Sequence, residues 1–99
     1  MKLQEYLLVK LMEECAEVNK CVSKMLIFGI DNQSPFKDQT NLEELHSEVN
    51  DILAILEMLA GSGICLYRDD DKVSAKIYKV KHYMQESKRL GILEDEPMC

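Results

Sequence analysis

The sequence contains little that would interrupt a helix. It has four glycines and two prolines, and neither residue type occurs between Lys2 and Ile27. Alternating strand patterns are also missing, apart from short ambiguous runs such as residues 64–67. These absences argue against a sheet-based fold and predict an all-α protein.

Other absences limit the compartment and the partners. The four cysteines show neither CxxC spacing nor histidines at zinc-finger distances, so we expect them to be reduced and structural in a cytoplasmic protein; they are Cys15, Cys21, Cys65 and Cys99. There is no basic-then-apolar leader pattern and no apolar run near about 18 residues, so we expect neither secretion nor a membrane association. Acidic residues outnumber basic ones by 18 to 12, giving a net charge of −6, which argues against a nucleic-acid partner.

What is present is helical periodicity in three stretches. The pattern predicts helices at about Lys2–Ile27, Leu42–Ala60 and Asp70–Arg89, followed by a frayed tail over residues 94–99. Thr40 or Asn41 is the expected N-cap of the second helix, because Thr40 and Glu43 have capping-box spacing. A chain of 99 residues fits a single domain, residues 1–99. Since three helices leave a four-helix-bundle core incomplete, we expect a homodimer or higher oligomer to complete it.

Each of the first two helices carries an acid where its apolar seam requires a hydrophobic residue. The seams are Leu7, Leu11, position 14, Val18, Cys21 and Met25 on the first helix, and Leu45, position 48, Ile52, Ile55 and Leu59 on the second. Glu14 and Glu48 occupy the two exceptional positions. Each has an acidic companion three residues later, Glu17 and Asp51, at the edge of the apolar face.

Burying an ionised carboxylate without compensation costs several kcal/mol. No arginine precedes Arg68, and His46 lies on the far side of its helix. The simplest compensation is a divalent cation held among these acids. All-oxygen ligands without a Glu-x-x-His pair favour Mg²⁺, with Mn²⁺ as a substitute, and Mg²⁺ commonly bridges to phosphates. Glu13 points about 100° away from Glu14, so we expect it behind the ligands or facing solvent.

The two acidic motifs carry a resemblance to a known family. Glu13-Glu14-x-x-Glu17 followed by Glu48-x-x-Asp51 resembles the EExxE…ExxD signature of the MazG-like, all-α nucleoside triphosphate pyrophosphohydrolases. The similarity covers about residues 3–60, with a weaker match over the third helix. The spacer of 30 residues between Glu17 and Glu48 is long for the family, so we expect an extra turn or short helix that alters the nucleoside pocket.

The resemblance implies Mg²⁺-dependent hydrolysis of an NTP or dNTP between the α- and β-phosphates, which yields a nucleoside monophosphate and pyrophosphate. It implies that Glu14, Glu17, Glu48 and Asp51 bind the metal. Water attacks phosphorus in such a reaction, and Glu17, nearer to solvent, is our choice for the carboxylate that orients or deprotonates it. The family also points to a dimer.

Phosphate-binding bases are harder to assign from the sequence. Lys20 and Lys24 lie near the same edge of the first helix as Glu17. Lys76 and Lys79 are the better candidates on the comparatively basic third helix. Alternatively, these four lysines have no ligand and are solvated side chains that balance the charge of nearby acids.

Two other functions remain open at this point. One is hydrolysis of a different phosphate compound, such as a phosphoribosyl-linked pyrophosphate of histidine biosynthesis, by a related all-α fold. The other is a non-enzymatic helical interaction module in which the acids form a partner-binding face. The sequence leaves the preferred base and sugar, the number of metal ions and the biological role unassigned.

Overall fold

The computed structural model describes residues 1–95, and within that range it contains three helices and no strand. The helices are α1 (Leu3–Phe28), α2 (Asn41–Gly61) and α3 (Asp70–Arg89). The predicted all-α class is confirmed, and each helix begins and ends within one residue of its predicted bounds. Residues 94 and 95 of the predicted tail lie outside any helix, and residues 96–99 lie outside the described part of the chain.

The helix ends follow the local chemistry of the sequence. Thr40 is the N-cap of α2: its side chain accepts a hydrogen bond from the Glu43 amide at 3.1 Å, and the Glu43 carboxylate accepts one from the Thr40 amide at 3.4 Å. This confirms the capping box. Asp69 caps α3 by accepting a hydrogen bond from the Lys72 amide at 3.1 Å. Gly29 follows α1 with φ of 104°, a conformation that favours glycine over residues with a side chain.

Helices α1 and α2 form an antiparallel hairpin. At one end the Gln4 side chain donates a hydrogen bond of 2.6 Å to the Ser62 carbonyl. At the other end the buried Asn41 side chain donates one of 2.9 Å to the Gly29 carbonyl. Because the start of each helix thus meets the end of the other, seam positions on α1 face seam positions on α2.

The predicted seams are the least exposed stripes of the hairpin. Among the described residues the buried apolar side chains are Leu7, Cys21 and Leu59. The remaining seam residues of both helices are partly buried. The helical periodicity of the sequence also predicts Val49 on the buried side of α2, but Val49 is 44% exposed. That prediction is wrong because a single partner helix covers only a narrow stripe, and position 49 lies about 100° around the helix from Glu48.

The connection between α1 and α2 consists of turns and contains no helix. An isolated antiparallel bridge joins Gln33 and Thr40. The Gln33 side chain donates a hydrogen bond of 2.9 Å to the Lys37 carbonyl, and the Asn41 amide donates one of 2.9 Å to the Asn32 carbonyl. These bonds close the connection into a compact loop that carries Lys37 beside the hairpin.

The contacts divide the chain into two compact units, Met1–Leu66 and the residues from Tyr67 onward. In the second unit, α3 has no fully buried residue. Helical periodicity predicts an apolar seam on this helix, formed by Val73, Ile77, Val80 and Met84. Val73 and Met84 are partly buried, whereas Ile77 and Val80 are exposed. The seam of α3 is incompletely covered, because the described part of the second unit adds only short segments around this helix. These segments cannot bury its whole apolar stripe.

None of the helices in residues 1–95 combines the length and apolar character needed to cross a bilayer.

Replacing the cap of α2 gives a direct test of the hairpin's local stability. We expect Thr40→Ala to lower the free energy of unfolding by about 1 kcal/mol, because it removes the acceptor for the Glu43 amide. Thr40→Ser keeps that acceptor and serves as the control, with a loss of no more than a few tenths of a kcal/mol. Urea denaturation followed by circular dichroism measures both, and equal stability of the two variants would contradict the capping role.

Candidate functional site

Three of the predicted metal ligands meet across the hairpin. Glu14 comes from the seam of α1, and Glu48 and Asp51 come from α2. Each can offer one carboxylate oxygen such that all three oxygens lie within 4.8 Å of one another. Glu14 and Glu48 are partly buried and Asp51 is exposed, so the group lies at the edge of the interface between the two helices.

Glu48 has the most unfavourable surroundings of the three. Its Oε2 atom is buried and has no hydrogen-bond partner in the described residues. The pKa of its carboxyl is raised from 4.5 to about 7, chiefly by burial, then by the hydrogen bond and charge of Glu14, and by the charges of Asp51 and Glu17. A group with a raised pKa and an unpaired oxygen is one that a cation would stabilise.

The residues present fit a divalent cation with a preference for oxygen ligands. Mg²⁺ binds oxygen at about 2.1 Å, which places opposite ligands about 4.2 Å apart. A group of oxygens within 4.8 Å therefore needs only small side-chain movements to coordinate such an ion. No histidine or cysteine belongs to this group, which disfavours zinc or copper.

The two remaining acids of the first motif lie in different places. Glu17 is exposed and does not belong to the three-carboxylate group, but it lies beside it in the adjoining cleft. Its role as a metal ligand stays a prediction. Glu13 is exposed and pairs with Lys10 at 3.1 Å, in agreement with the solvent-facing alternative given above.

A cleft of about 440 Å³ adjoins the carboxylates. Helix α1, the connecting loop and α2 all line it. Its charged lining residues include Glu17, Lys20 and Lys24 from α1, Lys37 from the loop, and Glu44 and Glu48 from α2. Because Glu17 and Glu48 belong to this lining, the cleft is continuous with the candidate cation site.

One carboxylate in the cleft holds two lysines. Glu44 accepts a hydrogen bond from Lys24 Nζ at 2.6 Å and contacts Lys37 Nζ at 2.9 Å through its other oxygen. Only 12% of the Glu44 side chain is exposed. The hydrogen bonds of Lys24 and Lys37 lower the pKa of the Glu44 carboxyl, and the bond to Glu44 raises the pKa of Lys24. Glu44 and Lys24 are therefore both charged at neutral pH.

The cysteines take no part in this charged arrangement. In the described part of the chain Cys15, Cys21 and Cys65 are free thiols. Cys21 is buried at the wall of the cleft, and burial raises the pKa of its thiol. A protonated buried thiol acts as a small apolar side chain rather than as a nucleophile. Cys99 lies outside the described residues.

The four lysines predicted to bind phosphate are found in two regions. Lys20 and Lys24 line the cleft. Lys76 and Lys79 are exposed on α3, in the second unit, and their phosphate-binding role stays a prediction.

Lys37 and Glu44 were not predicted from the sequence. Glu44 did carry a usable signal, because it lies one helical turn before Glu48 and so shares its face of α2. Lys37 carried none, since the position of a loop residue depends on how the loop closes.

Comparison with protein-family models, with curated proteins and with solved structures finds no match to this chain. The MazG-like resemblance therefore depends on the two acidic motifs and their sequence context.

The raised pKa of Glu48 predicts a pH-dependent stability. In the folded protein Glu48 keeps its proton up to about pH 7, whereas the unfolded chain releases it near 4.5. Between these values the folded state thus binds more protons than the unfolded state. The contribution of Glu48 to the free energy of unfolding therefore falls as pH rises through this range. Since the group is partly solvated, we expect a loss of about 1 to 2 kcal/mol.

The measurement compares metal-free wild type with Glu48→Gln in urea at several pH values. The variant should gain stability relative to wild type as pH rises from about 4.5 to about 7. Glu57→Gln, on the exposed side of the same helix, is the matched control and should show no such gain. If the free energies of unfolding of wild type and Glu48→Gln differ by a constant amount across this range, the pKa of Glu48 is not raised.

Proposed function

We propose that this protein is a Mg²⁺-dependent pyrophosphohydrolase that converts an NTP or dNTP to the monophosphate and pyrophosphate. The observation that carries the proposal is the buried, unpaired Oε2 of Glu48 beside Glu14 and Asp51. A purely structural seam would use an apolar residue at position 48. The resemblance of the motifs supplies the reaction class.

The residues of the site have two proposed roles, which are cation binding and transfer of a proton from water. Glu14, Glu48 and Asp51 would hold the cation, with Mn²⁺ as a substitute for Mg²⁺, and Glu17 is the additional ligand that the motif implies. The ion supplies charge neutralisation of the phosphate oxygens and activation of water. Binding it also removes the repulsion that raises the pKa of Glu48.

Glu17 is the proposed catalytic residue. It is exposed, lines the cleft and lies near enough to Glu48 to raise that residue's pKa. A carboxylate oxygen of Glu17 that does not bind the cation would accept a hydrogen bond from the attacking water and take its proton. Water then attacks the α-phosphorus, and the bond from phosphorus to the oxygen that bridges to the β-phosphate breaks.

The partners follow from the charge and from the exposed surface. The proposed ligand is a nucleoside triphosphate bound in the cytoplasm, and we propose neither a nucleic-acid nor a membrane partner for this acidic chain. We also propose that two or more copies associate. Large apolar side chains cluster near the end of α1, where Leu26, Ile27 and Phe28 are all more than 60% exposed, and such patches commonly form interfaces.

A substrate panel tests the activity. With Mg²⁺ present, we expect the wild type to release pyrophosphate from at least one NTP or dNTP. Glu48→Gln should lower kcat by at least about a hundredfold, because it removes a ligand charge from the cation site. Mg²⁺ should also raise the melting temperature of the wild type and leave that of Glu48→Gln unchanged.

Glu57→Gln is again the control and should retain full activity and the thermal shift. Release of orthophosphate alone, or turnover only of a phosphoribosyl-linked pyrophosphate, would assign a different hydrolase. If Mg²⁺ leaves the wild-type melting temperature unchanged and no compound is turned over, the interaction module is the better description.

Association is tested by size-exclusion chromatography with light scattering. We expect a mass of at least twice 11.4 kDa, because the hairpin leaves much of its apolar surface exposed. Leu26→Ser should shift the equilibrium toward the monomer if the apolar end of α1 contributes to the interface. A wild-type monomer at micromolar concentration would contradict the proposed dimer.

A further inference from the structure

The cleft beside the carboxylates has a basic wall that the acidic motifs do not account for. Lys24 from α1 and Lys37 from the loop converge on the two oxygens of Glu44, at 2.6 and 2.9 Å. Each ammonium group has three protons to donate, so a lysine that bonds to Glu44 keeps others for a ligand. Both lysines line the cleft.

The buried carboxylate gives these lysines a fixed position. Lys37 belongs to a loop, and its side chain is 51% exposed, so without a partner it would sample many rotamers. Within residues 1–95, the contact with Glu44 is the salt bridge that ties Lys37 to the hairpin. Glu44 is therefore a positioning residue for the two ammonium groups.

The charge of the cleft depends on the cation site. Three lysines face four carboxylates in the lining: Lys20, Lys24 and Lys37 against Glu17, Asp38, Glu44 and Glu48. With all of them ionised the lining is slightly negative, and it would repel an anion. A divalent cation held by Glu14, Glu48 and Asp51 offsets two of these negative charges, so the cleft repels a polyanion less when the cation is present.

The length of the cleft indicates the size of that anion. Glu17 and Lys24 are seven residues apart on α1, which corresponds to roughly 10 Å along the helix axis. A ligand that contacts the cation at one end and the lysine pair at the other must be longer than one phosphate. A chain of phosphates meets that requirement.

We propose that Lys24 and Lys37, held by Glu44, form the binding site for the distal phosphates of a polyphosphate ligand whose proximal end lies at the carboxylates. This role rests on the proposed function, because the cation site supplies the proximal end. It adds Lys37 and Glu44 to the functional residues and makes a chain of phosphates, rather than a single phosphate, the recognised group.

The test measures binding of inorganic tripolyphosphate and of orthophosphate by isothermal titration calorimetry in the presence of Mg²⁺. The proteins are wild type, Lys24→Met, Lys37→Met and the double variant. Lys88→Met is the matched control, since Lys88 also pairs with an acid, Asp95 at 3.3 Å, but lies on α3 in the second unit. Circular dichroism confirms that each variant folds.

We expect wild type to bind tripolyphosphate at least tenfold more tightly than orthophosphate. Each single substitution should weaken tripolyphosphate binding about threefold or more, and the double variant about tenfold or more, because charge-assisted hydrogen bonds are lost. Lys88→Met should stay within about twofold of wild type. If Lys24→Met fails to fold, Lys37→Met alone decides, since its side chain is half-exposed in a loop.

Three results would overturn the proposal: no measurable binding of tripolyphosphate to wild type, a double variant within about twofold of wild type, or equal weakening by Lys88→Met. The outcome is separable from that of the proposed function. Specific binding without turnover of any nucleotide would overturn the activity and leave the lysine site intact. Turnover with a KM unaffected by Lys24→Met and Lys37→Met would overturn the lysine site alone.

Discussion

The unpaired carboxylate of Glu48 sets the character of the hairpin between α1 and α2. It occupies a seam position where Leu, Ile or Met would add to the core, and its buried oxygen finds no donor in the described residues. Its neighbours Glu14 and Asp51 are also acids, so ionisation of one of them raises the free energy of ionising the others. The interface that holds the helices together thus also brings acids of both helices close to one another.

Few apolar contacts are available to offset that repulsion. In the described part of the chain three apolar residues are buried, among them Leu59 at 0% and Leu7 at 2% exposure. Both helix ends of the hairpin are instead fixed by hydrogen bonds, from Gln4 to Ser62 and from Asn41 to Gly29. With so small a core, the stability of this hairpin should depend on anything that neutralises the acids or covers the exposed apolar surface.

Much of this arrangement could be predicted because helical periodicity is local. The bounds of three helices, the Thr40 cap and the position of Glu14 and Glu48 in the seams all follow from spacing along one chain segment. Val49 was misplaced, since the width of a buried stripe depends on how many helices cover it. Lys37 could not be placed at all, because its contact with Glu44 depends on closure of the loop, and that contact is set by tertiary structure.

The order of charges along the hairpin links the cation site to the lysines. On α2, Glu48 lies at the carboxylate group and Glu44, one turn earlier, holds Lys24 and Lys37. Glu44 is stabilised by two cations of the protein itself, whereas Glu48 has none. The same residue type, one turn apart on one helix face, is therefore neutralised by lysines at one end of the cleft and has no counter-charge among the described residues at the other. In the proposed function a bound cation therefore favours binding of a polyanion, because it offsets the negative charge around Glu48.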